Sequence, residues 1–340
     1  MLHSAAGVPQ RFYRHFTAWA NARGLGVLTY DYRDFGDSAF RPLRESDTIF
    51  ADWAVRDQAA AQAALADLAP EGPLWVLGHS LGGLGIPFHG YPDRVAKIVT
   101  VGAGLGHFTD HPWSYRPKVL AFWFLLGPPA TALAGYMPGK RLMLGADLPA
   151  GVYWQWRKWC TRRDFFDSDI GVSLPAPNYA LEGPEIRICV ASDDVVVPPV
   201  AVKRYAKALA PSGASYHAFT PAEYGLSTLG HIDFLARDKE PIWADLLGLS
   251  EGDNLWPGPV LNRTRHARWR SWKSARDQRV HASAARVAGR ATRDPVRGQS
   301  DPSPSLHPVK PEGIAPGQLA HRAEVDQSVA EPPRGTVRQG

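Results

Sequence analysis

The chain has 340 residues, is 44 % hydrophobic and contains two cysteines. That is enough to bury a sizeable core, and it excludes a disulfide framework or a cysteine-based metal cluster. The net charge of +5 divides into −1 over residues 1–250 and +6 over residues 251–340, so the basic balance says nothing about the ligand of the folded part.

The opening MLHSAAGVPQRFY puts a small Gly- and Pro-containing turn directly after a three-residue stub. GVLTY (26–30) has strand composition and runs into the loop DYRDFGDS. ADWAVRDQAAAQAALADLA (51–69) is Ala-rich with apolar residues at helical spacing, which predicts a helix. LWVLG (74–78) reads as a strand, and SLGGLGIPFHG opens a helix. VAKIVTVG (95–102) is a further strand, apolar apart from Lys97 and Thr100. IRICVA (186–191) and YHAFT (216–220) complete the strands, with helices expected over about 199–209 and 232–247. Near-continuous apolar strands alternating with helices predict an α/β fold, a mostly parallel sheet covered on both faces.

Residues 103–180 interrupt that alternation with Trp113, Trp123, Trp154, Trp156 and Trp159, and read as a helical cap inserted into a core of residues 1–102 and 181–250. The tryptophans are expected chiefly to pack the insertion against the sheet. Its run VLAFWFLLGPPATALAGY (119–136) is the most membrane-like of the chain, yet Gly127, Pro128 and Pro129 break it and it is short for a bilayer span. It predicts an amphipathic or buried helix followed by a turn. Residues 251–340 form a basic, low-complexity tail, with disorder expected from about 255 onward in stretches such as DPSPSLHPVKPEG. NRTRHARWRSWKSARDQR could touch nucleic acid through Arg and Trp, but a solvated tail is the plainer reading and no nucleic-acid partner is expected. No basic-then-apolar leader precedes the first motif, and the expected compartment is the cytoplasm.

The chemistry centres on LWVLGHSLGG, where Ser80 stands in Gly78-His79-Ser80-Leu81-Gly82, a G-x-S-x-G pattern. Alone the pattern is weak. Here a strand ends at Gly78 and a small-residue helix begins after Ser80, the setting of a nucleophile elbow. The turn is so sharp that side chains two positions either side of the serine would collide, hence the glycines, and the hydroxyl sits at a helix N-terminus that favours developing negative charge. A serine needs a base, and the base an orienting acid, in the order Ser, acid, His. The strand 186–191 is followed by Ser192-Asp193-Asp194. Asp194 is preferred because it stands four residues before the Pro that opens the next helix. Asp193 is the second choice, and Asp110, after the preceding strand, the third. Gly230-His231-Ile232-Asp233-Phe234 follows the last strand, and its position in the order lifts His231 above His79, His107, His111 and His217.

These residues resemble a serine hydrolase of the α/β-hydrolase superfamily. GVPQRFYRHF, LTYDYRDFGDS, the Trp-rich insertion and GHIDF are similar to a group of bacterial hydrolases near the serine aminopeptidase-like and lysophospholipase-like branch. The resemblance covers roughly residues 2–248 and is specific for fold and triad, not for substrate. It implies Ser80 as nucleophile, His231 as base, Asp194 as acid, and the amides of Leu81 and Ala6 as the oxyanion hole. Ser4-Ala5 stands where the family usually has His-Gly or Pro-Ala, which leaves the register of Ala6 open by one residue. DYRDFGDS matches the family's D-x-R-G-x-G-x-S with Asp34 in place of a glycine, and reads as a structural turn. Met1-Leu2-His3 would then be a stub of the third strand, in the sheet interior beside the fourth and fifth. On that reading two antiparallel edge strands are missing. The native product is accordingly expected to begin upstream, or to be truncated and only marginally stable.

The expected activity is hydrolysis of an ester, or a thioester or amide, through an acyl-enzyme, on a small-molecule substrate for which the aromatic insertion suggests an apolar acyl group or an aromatic part, with no metal or organic cofactor required. Ester hydrolysis is preferred to peptide cleavage. Acyl transfer to an acceptor other than water stays open, as does a non-catalytic remnant whose tail mediates interactions. A dehalogenase or epoxide hydrolase would place Asp at the elbow, where Ser80 stands.

Overall fold

The computed structural model describes residues 1–249 except Pro92 and Leu144; the tail at 251–340, expected to be disordered, lies outside the described residues. The strands are β1 (Leu2–His3), β2 (Leu74–His79), β3 (Val95–Val101), β4 (Tyr136–Met137), β5 (Leu148–Pro149), β6 (Glu185–Ala191) and β7 (Ser215–Phe219). The helices are α1 (Arg14–Asn21), α2 (Gln58–Leu68), α3 (Leu81–Leu84), α4 (Arg116–Leu120), α5 (Gly127–Ala134), α6 (Ala150–Thr161), α7 (Pro199–Ala208) and α8 (Trp243–Leu247), with short 3-10 and π turns between them. The main sheet runs β1-β2-β3-β6-β7, every neighbouring pair parallel, with Leu2 opposite Leu77, Leu77 opposite Val99, and Val99 opposite Arg187.

Adjacent residues of β2, β3 and β6 enter different cores, which is why these strands are almost wholly apolar, whereas β7, last in the sheet order, is fully buried only at Phe219. Val76, Ile98, Ile188 and Val190 pack on one face with Val202, Tyr205 and the insertion's Trp123 and Trp159. Leu77, Val99, Cys189 and Ala191 pack on the other with Phe16 and Trp19 of α1 and Trp243 and Leu246 of α8. Lys97, one of the two polar residues of β3, is buried but satisfied: its ammonium donates to Leu247 O at 3.0 Å, pairs with Glu185 at 3.1 Å and lies 4.8 Å from the Trp75 ring centre.

Four elements differ from expectation. GVLTY at 26–30 is extended but forms no ladder, because β1 offers only two residues to pair with; Leu2 N–H donates to Leu28 O at 3.0 Å. β1 therefore lies between that segment and β2. The helix expected over 51–69 starts at Phe50 and runs through a π segment, Asp52–Asp57, before α2. The helix expected over 232–247 is broken into 3-10 turns (Asp233–Leu235 and Arg237–Ile242) and the short α8, since Pro241 lacks the amide a continuous helix needs. The insertion also contains the antiparallel pair β4–β5 beside its helices.

Within 119–136 the apolar run divides where the prolines stand. α4 and a π segment (Ala121–Leu125) end at Leu126, and Pro128 and Pro129 in the first turn of α5 start a second helix. No helix among the described residues is long and apolar enough to cross a membrane. Trp123 and Trp159 are buried, and Trp156 stacks on Phe50 at 5.4 Å, so these three pack the insertion down; Trp113 is 80 % exposed and carries only the Arg116 guanidinium over its ring.

Candidate active site

Parallel strands present their carboxyl ends along one edge of the sheet, and the chemistry-bearing loops leave from there. Ser80 follows β2 with φ 53° and ψ −113°, a left-handed conformation that a non-glycine residue holds only under constraint. Its amide donates to Val101 O at 2.7 Å, fixing the elbow to the end of β3. A Cβ on Gly78 would lie 2.5 Å from the Cα and N of Gly83, so the return of the chain after the serine demands glycine there. Gly82 is needed for a different reason: a Cβ on it would overlap the carbonyl oxygen of His3, because β1 passes directly against α3.

His231 reaches Ser80 from the loop after β7, its Nε2 standing 3.0 Å from Ser80 Oγ. Its Nδ1 is 2.7 Å from Asp194 Oδ2, and both side chains are almost wholly buried. A carboxylate accepts, so Nδ1 carries the proton and Nε2 presents its lone pair to the hydroxyl. The other carboxylate oxygen of Asp194 accepts from the amides of Val196 and Val197, each at 2.8 Å. Gly102 has φ +60°, and a Cβ there would lie 2.8 Å from His231 Nδ1, so a glycine after β3 makes room for the imidazole.

The three carboxylates considered as orienting acid go to three places. Asp194 alone meets His231. Asp193 accepts from the amides of Leu229 and Gly230, both at 3.0 Å, and so braces the loop that delivers His231. Asp110 forms a two-pronged pair with Arg204 at 2.5 and 2.7 Å and accepts from His107 N–H. Burial works against the charge of Asp110, but Arg204 and that amide outweigh it and hold its carboxyl below the usual range. The histidines ranked below His231 are engaged elsewhere: His217 lies in β7 beside Ser215, and His111 contacts Val195 O at 2.9 Å.

The turn after β1 stands beside the elbow. The Ala5 amide donates to Tyr13 Oη at 2.9 Å, whereas the amides of Ala6 and Leu81 have no partner among the described residues. Tyr13 Oη is also 3.0 Å from His79 Nδ1, and His79 Nε2 is 2.9 Å from the carbonyl oxygen of His231. A carbonyl only accepts, so Nε2 holds the proton and Nδ1 takes the tyrosine's. Burial, with His231 nearby, pushes the His79 pKa down to about 3, which keeps that ring neutral. Tyr13 and His79 thus tie the Ala5–Ala6 turn to the backbone of His231. Sequence reasoning passed over both: His79 was legible only as a rejected base, and nothing in the sequence marks Tyr13.

DYRDFGDS forms a turn. Asp31 accepts from the amides of Gln10 and Asp37. Asp34 takes φ 56°, the conformation for which a glycine is suited, and accepts from Arg41, Ser46 and Thr48. None of these groups contacts Ser80, His231 or Asp194.

A family model of the Alpha/beta hydrolase family matches residues 1–240. The chain belongs to the α/β-hydrolase family. Among solved structures this α/β-hydrolase is similar to a monoacylglycerol lipase of Paleococcus ferrophilus, with 14 % identity over 73 % of this chain and 93 % of that one and a TM-score of 0.44. It is also similar to a polyneuridine aldehyde esterase (16 % identity, 72 % of this chain and 96 % of that one, TM-score 0.45). A pyrethroid hydrolase is another (20 %, 72 % and 93 %, TM-score 0.40). These likenesses are too distant to carry an argument about activity. No curated protein matches the chain.

Proposed function

We propose that this α/β-hydrolase is a serine hydrolase that cleaves esters of apolar acids through an acyl-enzyme. The observation that supports this most is the unbroken line from Ser80 Oγ through the His231 imidazole to Asp194, at 3.0 and 2.7 Å, on a strained elbow. Ser80 Oγ attacks the acyl carbon while His231 Nε2 takes its proton, and the carbonyl electron pair moves onto oxygen. The amides of Leu81 and Ala6 hold that oxyanion, such donors being worth about 3 kcal/mol each. Collapse expels the alkoxide, which His231 protonates. Water, deprotonated by His231, then attacks the acyl-enzyme, releases the acid and restores Ser80. Asp194 fixes the imidazole tautomer and stabilises its charged form.

The preference for an apolar acyl group rests on the insertion, which borders the site. His111, near its start, stands 2.9 Å from the carbonyl oxygen of Val195, the residue after Asp194. Hydrolysis of p-nitrophenyl acetate and butyrate by the protein and by Ser80→Ala tests the reading. Turnover that disappears with the hydroxyl is expected. Turnover that survives it, or none in a folded wild-type protein with either ester, contradicts the proposal.

A further inference from the structure

The insertion carries a surface that the proposed chemistry does not use. From α4 through the π segment to α5, the inward face is a four-residue repeat of buried positions: Val119, Trp123, Gly127 and Thr131. A helix that packs one face and wets the other carries polar side chains outward. Here the outward side is apolar as well. Leu125 is 69 % and Leu133 89 % exposed, and Leu120 and Phe124 are exposed beside them.

Charge over this stretch has one sign. Between His111 and Ala146 there is no Asp or Glu, while Arg116, Lys118, Lys140 and Arg141 stand at its two ends. Lys118, Lys140 and Arg141 are exposed, and Arg116 lies 3.9 Å over the ring of the exposed Trp113. The acids that approach from neighbouring elements are few. Asp147 stands 3.8 Å from Lys140, Asp110 is held by Arg204, and Glu45 lies in a turn beside β5.

We propose that this face of the insertion rests on the surface of an anionic lipid bilayer. The leucines enter the acyl boundary, while Trp113, the cations and Phe124, whose ring lies 5.3 Å from the Arg157 guanidinium, sit at the level of the headgroups. The contact is interfacial rather than spanning, in keeping with helices far shorter than a bilayer. A second copy of this chain fits worse, because a two-fold contact across the same face would set four cations against four. The segment begins against the loop of Asp194, where His111 meets Val195 O, so docking sets the lipid surface beside the candidate site. The surface itself does not depend on the hydrolase reading, and Ser80→Ala protein is expected to bind as the wild type does.

The test is flotation of the full chain with vesicles of phosphatidylcholine alone and of phosphatidylcholine with phosphatidylglycerol, at low and high salt. Binding to the anionic vesicles is expected. Leu125→Ser and Leu133→Ser should each weaken it on the order of tenfold, as loss of one inserted leucine implies. Lys118→Glu with Arg141→Glu should abolish the preference for phosphatidylglycerol, at several-fold per cation. All these side chains are exposed, and circular dichroism checks that the variants stay folded. Binding that ignores the leucine changes and vanishes in high salt would assign it to the basic residues beyond 250 and overturn the proposal. So would a dimer, dissociated by the same leucine changes, in a protein that binds no vesicle.

Discussion

Tyr13→Phe removes one hydroxyl and strands two buried groups. The Ala5 amide loses its acceptor at 2.9 Å, and His79 Nδ1 loses its donor at 3.0 Å. Tyr13 and His79 are fully buried, so water does not substitute. A buried polar group left unpaired costs about 1–3 kcal/mol, and two together, after some relaxation, cost about 3 kcal/mol. For a folded region of this size each kcal/mol moves Tm by about 2–4 °C, so the melting point should fall by about 6–12 °C. The change should also reach the chemistry. Ala5 precedes the proposed oxyanion donor Ala6, and His79 holds the carbonyl of His231. A displacement of 1 Å at such a site costs about a hundredfold, so kcat should drop roughly ten- to a hundredfold with KM little altered. Tyr153→Phe is the control. Among the described residues its hydroxyl bonds only to Phe122 O, at 2.6 Å within the insertion, and its loss should lower Tm without lowering kcat. Scanning fluorimetry and ester kinetics read both effects. A Tyr13→Phe protein that melts and turns over like the wild type would refute the bridge.

The two neighbouring aspartates should separate cleanly. Asp194→Asn should lower kcat about 10⁴-fold with little change in Tm, because it inverts the imidazole tautomer. Asp193→Ala frees the amides of Leu229 and Gly230 and should lower Tm, with a smaller loss of kcat; equal kinetic losses would contradict the assignment. Gly82→Ala drives a methyl into the His3 carbonyl, a rigid backbone atom, and should yield poorly folded protein on expression; a wild-type melting curve would contradict the packing of β1 on α3. Stability should fall with acid. His79 and His89 are held at about 3 and about 4 by burial, below the ordinary 6.5, so below that value the unfolded chain binds protons that the folded one refuses. The stability present above pH 6.5 is lost as pH falls toward the folded values, about 2 kcal/mol for each ring at about pH 5. A Tm that is flat down to that pH would show that these rings are not buried neutral.

The parts that sequence displays are those fixed by local pattern. β2, β3, β6 and β7 each fall within a residue or two of the runs that announce them; for β2, β3 and β6 this is because a strand buried on both faces has no other composition open to it. That Ser80, Asp194 and His231 come together is legible because a parallel sheet sends every strand's carboxyl end to one edge, so chain order becomes spatial order. What escaped depends on pairs distant in sequence. The spacing to Pro198 favours Asp194 over Asp193, but what each carboxylate does is set far away in the chain: Asp194 meets an imidazole 37 residues on, while Asp193 accepts from the amides of Leu229 and Gly230. Gly82 looked like an elbow glycine, and its constraint comes instead from His3. The segment 26–30 has strand composition yet no ladder, because its partner β1 is two residues long. The apolar run 119–136 divides at the prolines that mark it, but that its outward face is also apolar appears only once the inward face is known.

The most direct test of the central claim is labelling with a fluorophosphonate followed by peptide mass spectrometry. The reagent's phosphorus is attacked by an activated serine oxygen with loss of fluoride. A single adduct is expected on the peptide bearing Ser80, absent in Ser80→Ala and strongly slowed in His231→Ala. An adduct on another residue, or labelling of Ser80 that does not need His231, would contradict it.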